Sequence, residues 1–296
     1  MKVIKEVLAL VFRFSGILLF IRGVFCRNKV TIIFYHDPKP EVFRKHIDYL
    51  YKRYNFISLE ILVEAIYQND FKNLPPKSLV ITIDDGNKGN YDLLDLFKKY
   101  KIKPTIYLCS HIINTHRKFW FLLGNKNLKV LKKLRNKQRL KILKERYDYE
   151  LHKEYPDRQA LNLMEIKEMS PYVDFQCHTK FHPILTTCDD EGSQEEIMES
   201  KFFLEKLLGK KVNYFSYPNG DYGEREVRIL KDCDYKSART YDIGWNSIDS
   251  DPYRLKAMAV DDNASINMLS AQIFGFFRYF NYLIHGRYNG KHPSYV

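Results

Sequence analysis

The stretch LVITIDDG, residues 79–86, joins a continuous apolar run to two adjacent aspartates and a glycine. An uninterrupted run of aliphatic and β-branched residues that ends at a turn signal predicts a strand buried on both faces. Runs of the same kind predict further strands at Val30–Tyr35, Pro104–Cys109, Val173–Cys177 and Val212–Tyr217, and shorter ones near Ser237–Thr240 and Leu255–Val260. Segments with helical spacing separate these runs, so we predict an α/β fold built on a mainly parallel sheet or barrel.

Helices are predicted where apolar residues recur every three or four positions. They are Glu41–Arg53, Leu59–Tyr67, Tyr91–Tyr100, Glu195–Leu208, Glu224–Cys233 and a closing helix at Ser265–Tyr282. The closing helix contains FGFFRYFNY, residues 274–282, which is too aromatic for a solvated helix. We expect this run to pack on the barrel or to contact lipid or a partner.

The segment 117–144 interrupts the alternation of strands and helices. It contains 11 Lys and Arg and no Asp or Glu, and its leucines recur at helical intervals. We predict a basic amphipathic helical insertion between the third and fourth strands. The whole chain has 48 Lys and Arg against 36 Asp and Glu, a formal charge of +12, so this segment carries nearly all of the excess.

Composition narrows the class of protein and its partners. An apolar fraction of 45%, with 20 Phe and 22 Tyr, excludes a disordered chain. No zinc-finger or other nucleic-acid-binding pattern accompanies the basic charge, so we do not expect nucleic acid as a partner. Residues 117–144 better fit an anionic membrane surface or a lipid-linked sugar phosphate, with a merely solvated helix as the alternative.

Residues 1–29 form a separate helical segment that is apolar with basic flanks. Its uncharged run Phe14–Ile21 is eight residues long, whereas a spanning helix needs about 20 apolar residues. No small-residue cleavage site follows a clean apolar core, so a signal peptide is not indicated. Two interpretations remain open, namely a helix packed on the domain and a helix lying in the membrane interface.

The cysteines indicate a reducing compartment. There are five, Cys26, Cys109, Cys177, Cys188 and Cys233, without a CxxC pair or regular spacing. An odd count in a chain of this length favours reduced thiols. We therefore predict a cytoplasmic protein that could associate peripherally with the inner face of the membrane.

Polar groups directly follow three of the predicted strands. The second strand ends in Asp84-Asp85-Gly86, the fourth in HTKFHP (178–183) and the fifth in SYPNGDY (216–222). The carboxyl ends of parallel strands meet at one edge of a sheet or barrel, where ligands bind. We therefore expect these groups to lie close together.

The residue types in these motifs point to a metal centre. Adjacent carboxylates that leave a buried strand repel each other and lose hydration, and a cation is the simplest compensation. Two histidines four positions apart can converge on the same ion. A set of one Asp and two His leaves coordination positions open for water, which is typical of a hydrolytic site. The second Asp is then free to act as a base toward that water.

The motifs TIDDG (82–86), HTKFHP (178–183) and SYPNGDYG (216–223) resemble the first three motifs of the polysaccharide deacetylase family, the NodB-homology or carbohydrate esterase family four. IFYHD (33–37) also resembles the start of many bacterial members. The resemblance implies a distorted (β/α) barrel of about seven strands over residues 30–262, here with a basic helical insertion at 112–165. An N-terminal helical segment (1–29) and a C-terminal aromatic helix and tail (263–296) would flank it.

The resemblance also implies a role for individual residues. Asp84 would be the catalytic base, and Asp85, His178 and His182 would hold a metal ion, usually zinc although other divalent ions occur in the family. Asn219 stands where the family has an aromatic residue whose backbone N–H helps to hold the oxyanion. A backbone donor survives a change of side chain, so Asn219 is predicted to keep this catalytic role.

Two family features are absent or displaced. The Arg that braces the catalytic Asp is replaced by Ser216, and Arg239 on the next strand is the predicted substitute, with a surface Arg on an edge strand as the alternative. We also count Arg239, Tyr217 and His36 as substrate-binding residues. The general acid of the family is a late His in a Leu-His context, for which His285 is the candidate. Water or His36 would otherwise protonate the amine.

These residues predict an enzyme, a metal-dependent hydrolase of the sugar N-deacetylase class. Its substrate would be an N-acetylated, GlcNAc-type sugar in a glycan or lipid-linked precursor, in bacterial surface polysaccharide biosynthesis. Because the brace Arg is replaced, a non-catalytic glycan-binding domain that retains the fold is the alternative.

Overall fold

The structure, a computed structural model, describes residues 2–16, 23, 28–123 and 127–277. The strands are β1 (Thr31–Tyr35), β2 (Asn55–Phe56), β3 (Ser78–Ile83), β4 (Thr105–Leu108), β5 (Asp174–Cys177), β6 (Tyr214–Ser216), β7 (Ser237–Arg239) and β8 (Met258–Ala259). The α-helices are α1 (Lys2–Phe14), α2 (Pro40–Tyr51), α3 (Leu59–Tyr67), α4 (Leu94–Tyr100), α5 (Leu128–Leu131), α6 (Asn136–Tyr147), α7 (Leu163–Met169), α8 (Asp190–Leu208), α9 (Glu224–Asp232) and α10 (Ile266–Gln272).

The strands form one parallel sheet that curls toward a barrel. Their order is β7-β6-β5-β4-β3-β1-β8, and the short β2, which the sequence pattern did not predict, pairs with β3. A parallel bridge from Arg239 to Leu255 brings the segment before β8 back toward β7, while β8 itself pairs with β1. The predicted α/β barrel is therefore confirmed. Because the strands are parallel, their carboxyl ends meet at one edge.

Burial explains why the strands have continuous apolar runs. Every residue of β1 and β3 is buried, since helices cover the outer face and side chains fill the inner face. α8 begins at Asp190, earlier than the predicted Glu195, because the carboxylate of Asp189 caps it by accepting the N–H of Gly192 at 3.1 Å. Apolar periodicity does not detect a first turn that is polar and capped.

The basic insertion is not one continuous helix as the leucine spacing predicted. It contains α5 and α6, separated at Arg135, whose backbone is extended. Leu131 and Leu143 are buried in a small core of their own with Trp120, Tyr149 and Ile184. The apolar face of the insertion is thus covered by the protein, and most of its Lys and Arg side chains face solvent.

The helix α1 packs on α10, as the first of the two interpretations of residues 1–29 predicted. The ring of Phe12 stacks on that of Phe276 with centroids 4.0 Å apart. The described α10 ends at Gln272, well before the predicted end at Tyr282, and residues 278–296 lie outside the described residues. None of the helices in the described ranges is long and apolar enough to cross a membrane.

Candidate active site

Three strand ends bring the polar motifs together at the carboxyl edge of the sheet. Asp84 and Asp85 follow β3, and His178 follows β5 with its N–H donated to the carbonyl of Leu108 at 2.9 Å. Asp85, His178 and His182 are all buried, and one ligand atom from each lies within 4.8 Å of the others. The structure therefore assembles the three predicted metal ligands in one place.

The distances within this triad suit a shared ion. Nε2 of His178 and Nε2 of His182 lie 3.5 and 3.3 Å from Oδ1 of Asp85. Two ligand atoms bound tetrahedrally at about 2.1 Å from one zinc ion are separated by about 3.4 Å. Oδ1 of Asp85 and Nε2 of His178 are buried and have no hydrogen-bond partner among the described residues. Unpartnered buried atoms are costly, so this donor set fits a divalent cation.

Burial sets the protonation of the triad. It lowers the pKa of His178 to about 4 and holds the pKa of His182 well below its ordinary value, so both rings are neutral near pH 7 and can act as ligands. It raises the pKa of Asp85 to about 7. A cation at the triad would offset the cost of ionising this carboxylate.

The loop that carries the two histidines is held from several sides. Nδ1–H of His178 donates to the carbonyl of Ser216 at 2.7 Å, which leaves Nε2 as the lone-pair atom that faces Asp85. Oγ1 of Thr179 accepts the N–H of His182 at 3.0 Å. Asp85, Thr179 and His182 adopt positive φ angles of 72°, 69° and 59°, an uncommon conformation for such residues.

Two further residues that the sequence pattern did not single out brace the same loop. The half-buried carboxylate of Glu196 accepts the N–H groups of Lys180 and Phe181 at 2.8 and 3.0 Å. The indole N–H of Trp120, from the insertion, donates to the carbonyl of His182 at 2.8 Å. The insertion is therefore attached directly to the loop that presents a candidate ligand.

The neighbouring carboxylate, Asp84, has a different partner. It is fully buried, and the guanidinium of Arg239 donates to both of its oxygens, at 2.6 Å to Oδ1. The same nitrogen of Arg239 also contacts the hydroxyl of Ser216. Burial raises the pKa of Asp84, but the charge and hydrogen bond of Arg239 outweigh it, and the pKa lies below its ordinary value. Asp84 is therefore held ionised, as a base must be.

The register of the sheet explains how Arg239 reaches Asp84. Ser216 on β6 is the direct pairing partner of Arg239 on β7. An Arg on β7 can therefore project toward the same carboxylate as an Arg at position 216 on β6 would. The guanidinium lies over the ring of Phe34 at 4.3 Å, and the rings of Tyr107 and Tyr241 lie within 5.6 Å. Arg239 is thus buried in an aromatic cage, and the alternative of a surface Arg is wrong. Its contacts favour positioning of Asp84 over the substrate-binding role that we expected.

A hydrogen-bonded chain that the sequence pattern did not predict runs from Asp84 to the pocket. The hydroxyl of Tyr241 donates to Oδ2 of Asp84 at 3.2 Å and lies 3.1 Å from Nε2 of His36. The carboxylate of Asp262 accepts the backbone N–H groups of His36 and Asp37. The sequence offered one sign of this role of Tyr241, namely an aromatic residue directly after Arg239 and Thr240. The sign is weak, because tyrosine is common in strands.

A pocket of about 380 Å³ opens over these groups. Its wall on the barrel side includes His36, Asp85, His182, Asn219 and Tyr241. The insertion supplies the opposite wall, which consists of Trp120, Phe121, Leu122, Leu128 and Lys132. His36 and Asn219 therefore lie where a substrate could contact them.

Tyr217, a predicted substrate-binding residue, is not part of this wall. Tyr217 is fully buried, donates its hydroxyl to the carbonyl of Tyr253 and stacks on Tyr222, so its contacts place it in the core behind the site and do not favour substrate binding. Asn219, two positions later, has a left-handed backbone (φ 58°) that turns the chain into the pocket. His285 lies outside the described residues.

Comparison with known proteins identifies the family of this chain. A sequence model described as polysaccharide deacetylase matches residues 71–238, more than half of the chain. The chain belongs to the polysaccharide deacetylase family. Family and fold together make this protein a polysaccharide deacetylase, a hydrolase that acts on acetylated sugars. No curated protein matches the sequence.

The solved structures of several other proteins have the same fold as this protein. The deacetylase PplD of Streptococcus pyogenes, solved in complex with acetate, is 21% identical, with a TM-score of 0.62 over 83% of this chain and 98% of that one. IcaB from Ammonifex degensii is 16% identical, with a TM-score of 0.62 over 84% and 97%. The putative polysaccharide deacetylase BA0330 from Bacillus anthracis is 21% identical, with a TM-score of 0.57 over 83% and 69%. At these identities the likeness shows the fold.

The substitution Arg239→Met tests the buried ion pair. It leaves Asp84 buried without its counter-charge, and we expect the free energy of unfolding to fall by about 3–5 kcal/mol. Urea unfolding at pH 7, followed by circular dichroism, measures this change. The double variant Arg239→Met/Asp84→Asn removes both charges and should regain a large part of the loss. Arg228→Met, on the exposed face of α9, is the matched control. If Arg239→Met were as stable as that control, the pair would not have the role described.

Proposed function

We propose that this protein is a metal-dependent N-deacetylase of GlcNAc-type sugars. One observation carries the proposal: the two adjacent carboxylates after β3 have different surroundings below one pocket. Asp84 is paired with Arg239, whereas Asp85 faces two neutral histidines and has no counter-charge among the described residues. Two like carboxylates whose surroundings differ in this way can serve as base and ligand. The catalytic unit is the barrel of residues 30–262 with the insertion 112–165, flanked by residues 1–29 and 263–296.

Asp85, His178 and His182 would hold the ion, with zinc as the first candidate because one carboxylate and two imidazoles are ligands that zinc accepts. A divalent ion bound there supplies polarisation of a water molecule and of the acetyl carbonyl. The neutral state of both histidines and the unpartnered oxygen of Asp85 support this assignment.

The protein's own residues would carry the proton transfers. Asp84 accepts a proton from the attacking water, since Arg239 keeps it ionised and Tyr241 orients its Oδ2. The backbone N–H of Asn219 stabilises the oxyanion that forms on the acetyl group. The departing nitrogen then takes a proton and leaves as an amine, with acetate as the other product.

His36 is our candidate for the acid among the described residues. Its ring lines the pocket, and its Nε2 is hydrogen-bonded to the hydroxyl of Tyr241, which in turn contacts Asp84. A proton taken up by Asp84 thus has a short hydrogen-bonded path back to the pocket. His285, the acid that the family resemblance implies, remains a prediction.

The insertion would select the substrate. Lys132 lines the pocket and is more than half buried, which lowers its pKa. A cation in this wall favours a sugar that carries phosphate or another anionic group, such as a lipid-linked precursor. Such a substrate fits a role in bacterial surface polysaccharide biosynthesis, for which we propose the cytoplasm because the cysteine pattern favours reduced thiols. The remaining exposed cations of 117–144 would contact the anionic part of the same substrate or its membrane.

The substitution Asp84→Asn tests catalysis against mere binding. Loss of the base should lower kcat/KM for acetate release from a short β-linked GlcNAc oligomer by at least about 10²-fold. Binding of the oligomer, measured by calorimetry, should persist. Asp249→Asn, an exposed carboxylate elsewhere, is the control. Equal turnover by Asp84→Asn and wild type would refute the assignment of the base.

Removal of metal tests the triad. Dialysis against a chelator should abolish acetate release, and about one equivalent of zinc per chain should restore it. His182→Gln should weaken zinc binding, measured by competition with a chromogenic chelator, by at least about tenfold. His116→Gln, an exposed histidine outside the triad, should bind zinc as the wild type does. Full deacetylation by metal-free protein would contradict the proposal.

Lys132→Gln tests recognition of an anionic group. We expect KM for GlcNAc 1-phosphate to rise by about 10- to 100-fold, because a hydrogen bond to a charged group contributes about 1.5–3 kcal/mol. KM for the neutral methyl glycoside of GlcNAc should change little. Lys167→Gln, an exposed lysine of α7 outside the insertion, should leave both values unchanged. Equal changes for the two substrates would show that Lys132 is not selective for charge.

A further inference from the structure

The helix α1 carries an apolar face that the other described residues leave uncovered. Six of the 17 large apolar side chains that are exposed among the described residues lie on this one helix of 13 residues. They are Val3, Ile4, Val7, Leu10, Val11 and Phe14, each between 43% and 76% exposed. A surface helix ordinarily turns such a stripe toward the core.

These six residues form one continuous stripe. At 100° per residue they fall within an arc of about 120° on the helix. The residues that α1 buries, Ala9 and Phe12, lie on the opposite side. The helix therefore has two apolar sides, and the wider one faces away from the protein.

The orientation of α1 is determined by specific contacts. Phe12 stacks on Phe276, and the carboxylate of Glu6 accepts hydrogen bonds from the hydroxyl of Ser265 and the amide of Asn267. The guanidinium of Arg13 donates to the same Asn267 at 2.8 Å. These contacts hold the side of α1 that contains Ala9 and Phe12 against α10, and the apolar stripe therefore faces outward.

The net charge of α1 indicates the chemistry of its partner. α1 contains Lys2, Lys5 and Arg13 against the single acid Glu6, whose carboxylate is already engaged with α10. At 100° per residue Lys5 and Arg13 lie on the side of the helix away from the stripe. The sequence continues with the apolar run ILLFI (17–21), followed by Arg22, Arg27 and Lys29. An apolar side combined with a basic opposite side is typical of helices that lie in the interface of an anionic bilayer.

The basic insertion is a weaker candidate for such a surface. Its leucines Leu131 and Leu143 are buried against Trp120 and Tyr149, so it offers charge with few exposed apolar side chains, chiefly Leu122 and Val130. Charge alone gives an attraction that salt screens, whereas burial of apolar side chains in the acyl region persists.

We propose that the apolar stripe of α1 inserts into the interfacial region of a bilayer that contains anionic lipid. The stripe is joined to the active-site side of the barrel, because Ser265, which holds Glu6, is three residues from Asp262 in the pocket wall. Docking through α1 would hold the enzyme on the same surface as a lipid-linked substrate. This last step rests on the proposed function, whereas lipid binding itself does not.

Vesicle sedimentation of the full chain tests the proposal. Wild type should sediment with phosphatidylcholine vesicles that contain about one third phosphatidylglycerol, and more weakly with phosphatidylcholine alone. Val7→Glu/Val11→Glu should lower the partition coefficient at least tenfold. Met164→Glu/Phe202→Glu, which alters two well-exposed apolar residues on α7 and α8, should leave it unchanged. Acetate release from a water-soluble GlcNAc oligomer should be the same in all three proteins.

Thermal melting checks that the variants fold. If Val7→Glu/Val11→Glu does not fold, the milder Val7→Ser/Val11→Ser replaces it in the sedimentation experiment. Binding by the α1 variant at the wild-type level would overturn the proposal, as would its loss only in Lys133→Glu/Lys141→Glu of the insertion. Equal sedimentation with the two kinds of vesicle would overturn the requirement for anionic lipid. A different occupant, a second copy of the chain, would be shown by three results together. The wild type would be dimeric, it would not bind vesicles, and the α1 variant would be monomeric.

Discussion

The burial of two adjacent carboxylates at the end of β3 is the constraint on which the site depends. Asp84 and Asp85 are both buried, and two adjacent buried carboxylates cannot both stay charged without a partner for each. Asp84 is stabilised by Arg239, whereas Asp85 faces two neutral histidines and an unfilled coordination sphere suited to a cation. Each carboxylate therefore acquires a separate chemical character from its surroundings, although the two are neighbours on the chain.

The insertion and α1 add to the barrel in different ways. The insertion buries its leucines, braces the histidine loop through Trp120 and places Lys132 in the pocket wall. α1 buries a narrow side and exposes a wide apolar one. The chain's excess of positive charge thus lies mainly on the insertion, whereas a continuous exposed apolar stripe lies on α1. The two surfaces have distinct chemical roles in the proposals made above.

Much of the fold could be predicted from local pattern. The runs at β1, β3, β4 and β5 are apolar because both faces of these strands are buried, and the aspartates and histidines that follow them mark the active edge. The limits of α8 and the division of the insertion into α5 and α6 could not be predicted in this way. The start of α8 depends on the cap Asp189, and the division of the insertion on the non-helical backbone at Arg135, neither of which follows apolar spacing.

The sequence by itself determined the strand ends, the residue types that meet there and the family they resemble, because these depend on neighbours along the chain. Only the tertiary structure decided that Arg239 fills the place left by Ser216, that Tyr241 links Asp84 to His36, and that Tyr217 lies behind the pocket. It also decided that α1 turns its wider apolar side outward. The physical reason is that lateral partners are set by the register between strands and by the packing between helices, and residues far apart in sequence carry no local sign of either.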